Sequence, residues 1–228
     1  MDGGSAMTLE LGPPFGGALG LCVAGLALAL YGEARGWRWA LFVGKPLASL
    51  GFLIAAVSAG ALRSGPGLVL FGGLCWAAIG DILLMWREKR AFLAGLVAFL
   101  LGHLTYAGAF AMRGLDLDVV GLAAAPIVVA SALVLRWLLP KVEPAMKVPV
   151  LAYVAVIAAM VALAFGSHAA TPSALLPLGA VLFWLSDISV AVDRFVVQSH
   201  WNRLWGLPCY YGAQFVLAAA CAGLVTPG

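Results

Sequence analysis

Asp81, in the run GGLCWAAIGDILLMW, and Asp187, in GAVLFWLSDISVAV, are carboxylic acids set inside otherwise apolar segments of membrane-spanning length. An ionisable side chain inside a bilayer is costly, and such groups mark functional sites or paired charges. Two carboxyl groups sharing one site suit acid/base chemistry. One is held protonated to give a proton, and the other is ionised to receive one or to stabilise positive charge. Lys45 is a further intramembrane charge. One lysine neutralises one carboxylate, so the second must be protonated or solvated, and two carboxylates near one lysine in a low dielectric titrate apart.

The chain that must position these groups has 228 residues, 64% hydrophobic and 10% charged, with a mean hydropathy of +1.04. Soluble domains carry about 25% charged residues. The composition therefore indicates an integral membrane protein, and no polar stretch is long enough to build a soluble domain. Basic residues are single or in short loop clusters, which excludes nucleic acid as a partner. Cys22, Cys75, Cys209 and Cys221 each lie in apolar sequence without a CxxC pair, and read as small buried hydrophobes. The first apolar run, at 15–31, ends in Glu33 and Arg35 without a small-residue cleavage site. It reads as a retained helix rather than a signal peptide.

A membrane-spanning helix needs about 20 mostly apolar residues. Such runs occur at 14–31, 39–60, 67–86, 91–111, 118–138, 148–166, 173–192 and 205–225. The expected fold is all-α: a polytopic bundle of eight transmembrane helices in a single domain, residues 13–228, behind a disordered 1–12. The loops after spans 1, 3, 5 and 7, with their flanks, hold ten of the thirteen basic residues; those after spans 2, 4 and 6 hold only Arg63 and Arg113. Positive-inside bias then puts the odd-numbered loops in the cytoplasm and both termini outside. The Ala/Gly/Leu-rich composition points to a bacterial inner membrane rather than a eukaryotic endomembrane. Spans 3 and 7 share a Trp followed by an Asp-Ile, and YAGAF (106–110) in span 4 parallels YGAQF (211–215) in span 8. A parallel repeat of four plus four helices would explain this.

Orientation permits a comparison of depth. Asp81 lies ~9 Å inside the cytoplasmic boundary, and Asp187 and Lys45 ~10 Å. Tyr153 falls at ~9 Å, Tyr211 and Gln214 at ~10–16 Å, and His103 and Tyr106 deeper. Lys45, Asp81, Asp187, Tyr153, Tyr211 and Gln214 can thus form one layer, and His103, Tyr106 and Ser186 complete the candidate site. Simpler readings exist for each. Lys45 could snorkel, either Asp could merely pair with it, and His103 could be a hydrogen-bonded packing residue. A catalytic zinc would need both carboxylates plus His103, since His168 and His200 lie in opposite loops. No metal and no cofactor is expected. No GxSxG or Ser–His pairing supports a seryl nucleophile.

At these positions the chain resembles the YhhN-like lysoplasmalogenases. The matching elements are KP at 45–46, GDILLM at 80–85, FLAGLVAFLLGHLTYAGAF at 92–110, VPVLAYVAVIAAM at 148–160, GAVLFWLSDISVAVDRF at 179–195 and YYGAQF at 210–215. They reach from span 2 to span 8; spans 1 and 5 match only as apolar runs. The resemblance implies a multi-pass hydrolase whose lipid substrate is a lysoplasmalogen. Its vinyl ether would be cleaved to a fatty aldehyde and glycerophosphoethanolamine or glycerophosphocholine. Asp81 and Asp187 would be the catalytic pair, without assignment of acid and base. Lys45 would keep one ionised or bind the lipid phosphate, and His103, Tyr106, Tyr153, Ser186, Tyr211 and Gln214 would orient water or substrate. The alternative is a proton-coupled transporter or lipid-binding membrane protein using the same Asp/Lys cluster. A helical scaffold with structural ion pairs is a third reading.

Overall fold

A computed structural model describes residues 12–86 and 88–224. The expected disordered segment, apart from Gly12, lies outside the described residues. Eight α-helices follow in order: α1 (Pro13–Arg35), α2 (Arg38–Ser58), α3 (Gly65–Leu83), α4 (Lys89–Met112), α5 (Leu117–Leu138), α6 (Pro144–Ala170), α7 (Leu175–Phe195) and α8 (His200–Ala220). Only short 3-10 turns supplement them, and there is no strand among the described residues. All eight are long and apolar enough to cross a membrane, and the chain is a multi-pass all-helical membrane protein.

Local signals set the helix ends. Proline occupies the first turn of α1, α3 and α6, where its missing N–H would have no partner and its fixed φ suits the helix. Ser64 accepts from Gly67 N (3.1 Å) before α3, and Asp116 from Val119 N (3.1 Å) before α5. Gly36, at φ +68°, stops α1 in the left-handed region, and α2 begins two residues later. Hydropathy placed the start of the last span at 205, whereas α8 begins at His200. Tertiary bonds satisfy its polar first turn: Ser189 Oγ donates to Asn202 O (3.1 Å), and Asn202 Nδ2 to Ser189 O (2.7 Å). α2 continues unbroken through Gly44 and Pro46.

Consecutive helices pair as hairpins, α1/α2, α3/α4, α5/α6 and α7/α8. Further packing of α2 on α3 and α8, of α4 on α6, and of α6 on α7 closes α2, α3, α4, α6, α7 and α8 around one centre. Phe52, Phe183, Tyr106 and Tyr211 fill it, fully buried. α5 packs mainly on α6 and exposes Leu117, Leu122, Val128, Val129 and Leu133, an apolar face for lipid. Where loops meet water, an exposed Lys89–Glu143 pair (2.8 Å) joins the starts of α4 and α6. The hydrogen bond from Lys89 holds the Glu143 carboxyl below its ordinary range. Such an exposed pair adds little stability.

The α1/α2 hairpin depends on glycine because hydrocarbon-embedded helices bind through close backbone packing. A Cβ on Gly25 would stand 2.6 Å from the carbonyl oxygen of Gly44, a contact only backbone movement relieves. Gly25→Ala is expected to destabilise by about 1–3 kcal/mol through overpacking, read as a lower melting temperature in detergent. Gly20→Ala, which meets nothing within 4 Å, should leave the melting temperature unchanged or raise it.

Candidate active site

Lys45 and Ser49 are one turn apart on α2 and therefore share a face, which is turned to Asp81 of α3. Lys45 Nζ lies 2.8 Å from Asp81 Oδ1 and donates to the Asp81 main-chain oxygen at 3.1 Å. The other carboxylate oxygen, Oδ2, accepts from Tyr211 OH of α8 (2.5 Å) and from Ser49 Oγ (3.4 Å). Asp81 is only 3% exposed, so burial is offset by a counter-charge and by donors to both oxygens. That is what a buried carboxylate requires.

Asp187 of α7 is held differently. Its Oδ2 accepts from Tyr153 OH of α6 at 2.9 Å, and His103 Nε2 of α4 stands 3.5 Å from the same oxygen. The His103 ring is fully buried, 4.4 Å from the Phe183 ring centroid and 5.3 Å from that of Tyr153. Neither ring nitrogen makes a hydrogen bond of ordinary geometry among the described residues. Among those residues no lysine or arginine lies within ion-pair distance of Asp187. The single intramembrane lysine is committed to Asp81.

Both aspartates line one cavity of about 480 Å³. Lys45, Ser186, Phe99 and Tyr210 line it with them, and it reaches the bundle end that carries Gly36, Arg38, Trp86, Asp193 and Arg203. The Ser186 hydroxyl donates to the Phe183 carbonyl (2.9 Å), which fixes it within its own helix. At the rim Arg203 makes two 3.1 Å bonds to the Asp193 carboxylate and also pairs with Glu33, tying α1, α7 and α8 together. Arg38 lies over the Phe42 ring at 5.7 Å. Among the described residues no three His, Cys, Asp or Glu side chains are grouped to hold a metal ion.

Of the residues singled out from sequence, Lys45, Tyr211 and Asp81 form one knot, and His103, Tyr153 and Asp187 another. Tyr106 and Gln214 meet each other instead, Tyr106 OH donating to Gln214 Oε1 at 2.6 Å, both fully buried and neither lining the cavity. Sequence reasoning left Ser49, Tyr210 and the rim charges out of the candidate site. Ser49 was findable, since it lies four residues after Lys45. Tyr210 donates to Ala77 O (2.8 Å) and packs its ring against Phe99 and Phe183, forming the aromatic wall between the two knots. The partner scheme has a regularity. Asp81 is gripped from α2, 36 residues earlier, and from α8; Asp187 is gripped from α6, 34 residues earlier, and from α4. A shift of four helices, with α8 passing to α4, converts one set into the other.

Fold and site together define a polytopic helical protein with a paired-carboxylate cavity opening at one end of its bundle. The YhhN family model matches residues 37–221, and the chain belongs to the YhhN family. It is 33% identical to lysoplasmalogenase TMEM86A of Bos taurus over 84% of this chain and 81% of that protein. It is 34% identical to lysoplasmalogenase TMEM86B of Mus musculus, covering 79% and 74%. A lysoplasmalogenase of Mycobacterium bovis is 33% identical over 66% of this chain and 59% of its own. No solved structure matches the chain.

Proposed function

We propose that this protein is a lysoplasmalogenase, hydrolysing the vinyl ether of a lysoplasmalogen to a fatty aldehyde and a glycerophospho-base. The observation that carries the reading is that the two aspartates set in apolar sequence line one cavity and are partnered differently, Asp81 by the Lys45 ammonium and Asp187 by the Tyr153 hydroxyl. Vinyl ether hydrolysis begins with proton transfer to the β-carbon, which leaves an oxocarbenium ion. Asp187, which accepts from Tyr153 and has no Lys or Arg paired with it among the described residues, is assigned as the proton donor. Asp81, ion-paired with Lys45 and accepting from Tyr211 and Ser49, stabilises the positive charge. Water then attacks the oxocarbenium carbon while Asp187 takes back a proton. The hemiacetal collapses to aldehyde and the glycerol hydroxyl, leaving Asp187 protonated. Tyr153 is a positioning residue that holds the Asp187 carboxyl, and His103 packs beside the same oxygen.

The phosphate is assigned to the rim near Arg38, because Lys45 is occupied by Asp81. The amine of the head group would face Asp193 and Glu33. The rim lies at the end carrying the basic odd-numbered loops, which supports a cytoplasmic opening with both termini outside; the Ala/Gly/Leu-rich composition supports a bacterial inner membrane.

Purified protein in detergent, given a lysoplasmalogen, should release aldehyde and glycerophospho-base in equal amounts. Lipid binding without product would instead favour a transporter or lipid-binding protein.

A further inference from the structure

An apolar groove leaves the polar cavity sideways. Leu84, Phe92, Phe99, Asp187 and Val190 line both spaces, so the groove begins at the carboxyl assigned as proton donor. From there it runs between Val134 and Leu138 of α5 and Trp184, Ile188 and Ala191 of α7, over Val154 and Ile157 of α6. It is narrow, about 60 Å³. α5 packs on α6 rather than closely on α7, and its outer face is apolar and exposed.

We propose that this groove takes the carbons of the substrate's hydrocarbon chain nearest the reacting bond, with the chain entering sideways from the bilayer between α5 and α7. The inference rests on the reading of the cavity as a vinyl ether hydrolase site. Three observations carry it. The groove is continuous with the cavity at Asp187, so a chain lying in it presents its first carbons to the acid. Its walls are hydrocarbon and aromatic, which suits a chain and no part of a charged head group. Its small volume holds only a few carbons, and the gap between α5 and α7 leaves the remainder of the chain in lipid. The amphiphile is then divided at Asp187, head group in the polar cavity and chain in the groove, with the vinyl ether at their junction.

The test narrows the groove from opposite walls. Val134→Trp on α5 and Ala191→Phe on α7 are compared with wild type on two 1-alkenyl lysophospholipids, one with a hexadecenyl chain and one with an ethenyl group. Aldehyde release gives kcat/KM for each, and the melting temperature in detergent checks folding. Misfitting a few carbons in an apolar pocket changes discrimination by at least about tenfold. The expected result is a loss of about that size for the hexadecenyl substrate in each folded variant, with the ethenyl substrate, which has no carbon beyond the reacting bond, much less affected. Equal losses on both substrates, or no loss on either, would overturn the proposal. If one variant does not fold, the other decides alone. Aldehyde release by wild type from neither substrate would overturn the underlying reading of the site, and the groove assignment with it.

Discussion

Asp187→Asn is expected to lower kcat for aldehyde release by about 10²–10⁴-fold, the span of general acid–base catalysis, while the protein folds as wild type does. Asparagine has the same shape, and its amide oxygen can still accept from Tyr153 OH, the bond that holds the carboxyl at 2.9 Å. It has no proton to deliver to carbon. Because no Lys or Arg among the described residues pairs with Asp187, the change strands no counter-charge. The melting temperature in detergent should therefore move little, and KM should change less than kcat. A variant that keeps full turnover would remove Asp187 from the chemistry. One that unfolds would make the residue structural.

Lys45→Met should act in the opposite way, on stability first. It leaves the Asp81 carboxylate, 3% exposed, without the ammonium that stands 2.8 Å away. Breaking a buried ion pair by removing one partner costs about 3–5 kcal/mol, whereas replacing both partners together is often close to neutral. The double variant Lys45→Met with Asp81→Asn should therefore recover most of the lost melting temperature, yet release no aldehyde at the wild-type rate. This pattern separates an ion pair that only fastens α2 to α3 from one that also supports the reaction. If Asp81 and Lys45 were only structural, the double variant would regain activity along with stability.

The bundle was readable from sequence because lipid imposes a single rule along each span, a run of about 20 apolar residues. Breaks in that run mark loops. The rule fails where tertiary bonds stand in for hydropathy, and α8 therefore starts five residues before the apolar run, at the turn that Asn202 and Ser189 hold. Level along each helix axis could be counted from its charged end at 1.5 Å per residue. That count allowed Lys45, Asp81 and Tyr211 to meet, and their side chains are in contact. Azimuth was not readable. Tyr106 and Gln214 satisfy each other away from the cavity, a pairing across 108 residues, and the bond from Arg203 to Glu33 spans 170. Helical period places residues on one face of their own helix, but says nothing of which neighbour that face meets.

The grip on each aspartate bears on the suggested repeat. Lys45 and Tyr153 precede their aspartates by nearly the same interval, and each aspartate also takes a partner from the closing helix of the other half. We propose that a four-helix unit was duplicated and that the halves then diverged in charge, one keeping lysine and the other tyrosine. Divergence of this kind would turn two equivalent carboxyl groups into one acid and one permanent anion, the difference the reaction requires.

The most direct test of that chemistry is isotopic. The protein is given a lysoplasmalogen in deuterium oxide enriched in oxygen-18, and the aldehyde is reduced at once to the alcohol and analysed by mass spectrometry. Protonation of the vinyl carbon by Asp187, followed by attack of water at the oxocarbenium carbon, predicts a single deuterium at carbon 2 of the product. It also predicts that the glycerol hydroxyl keeps its original oxygen. Product without deuterium at carbon 2, or oxygen-18 in the glycerol hydroxyl, would contradict the account.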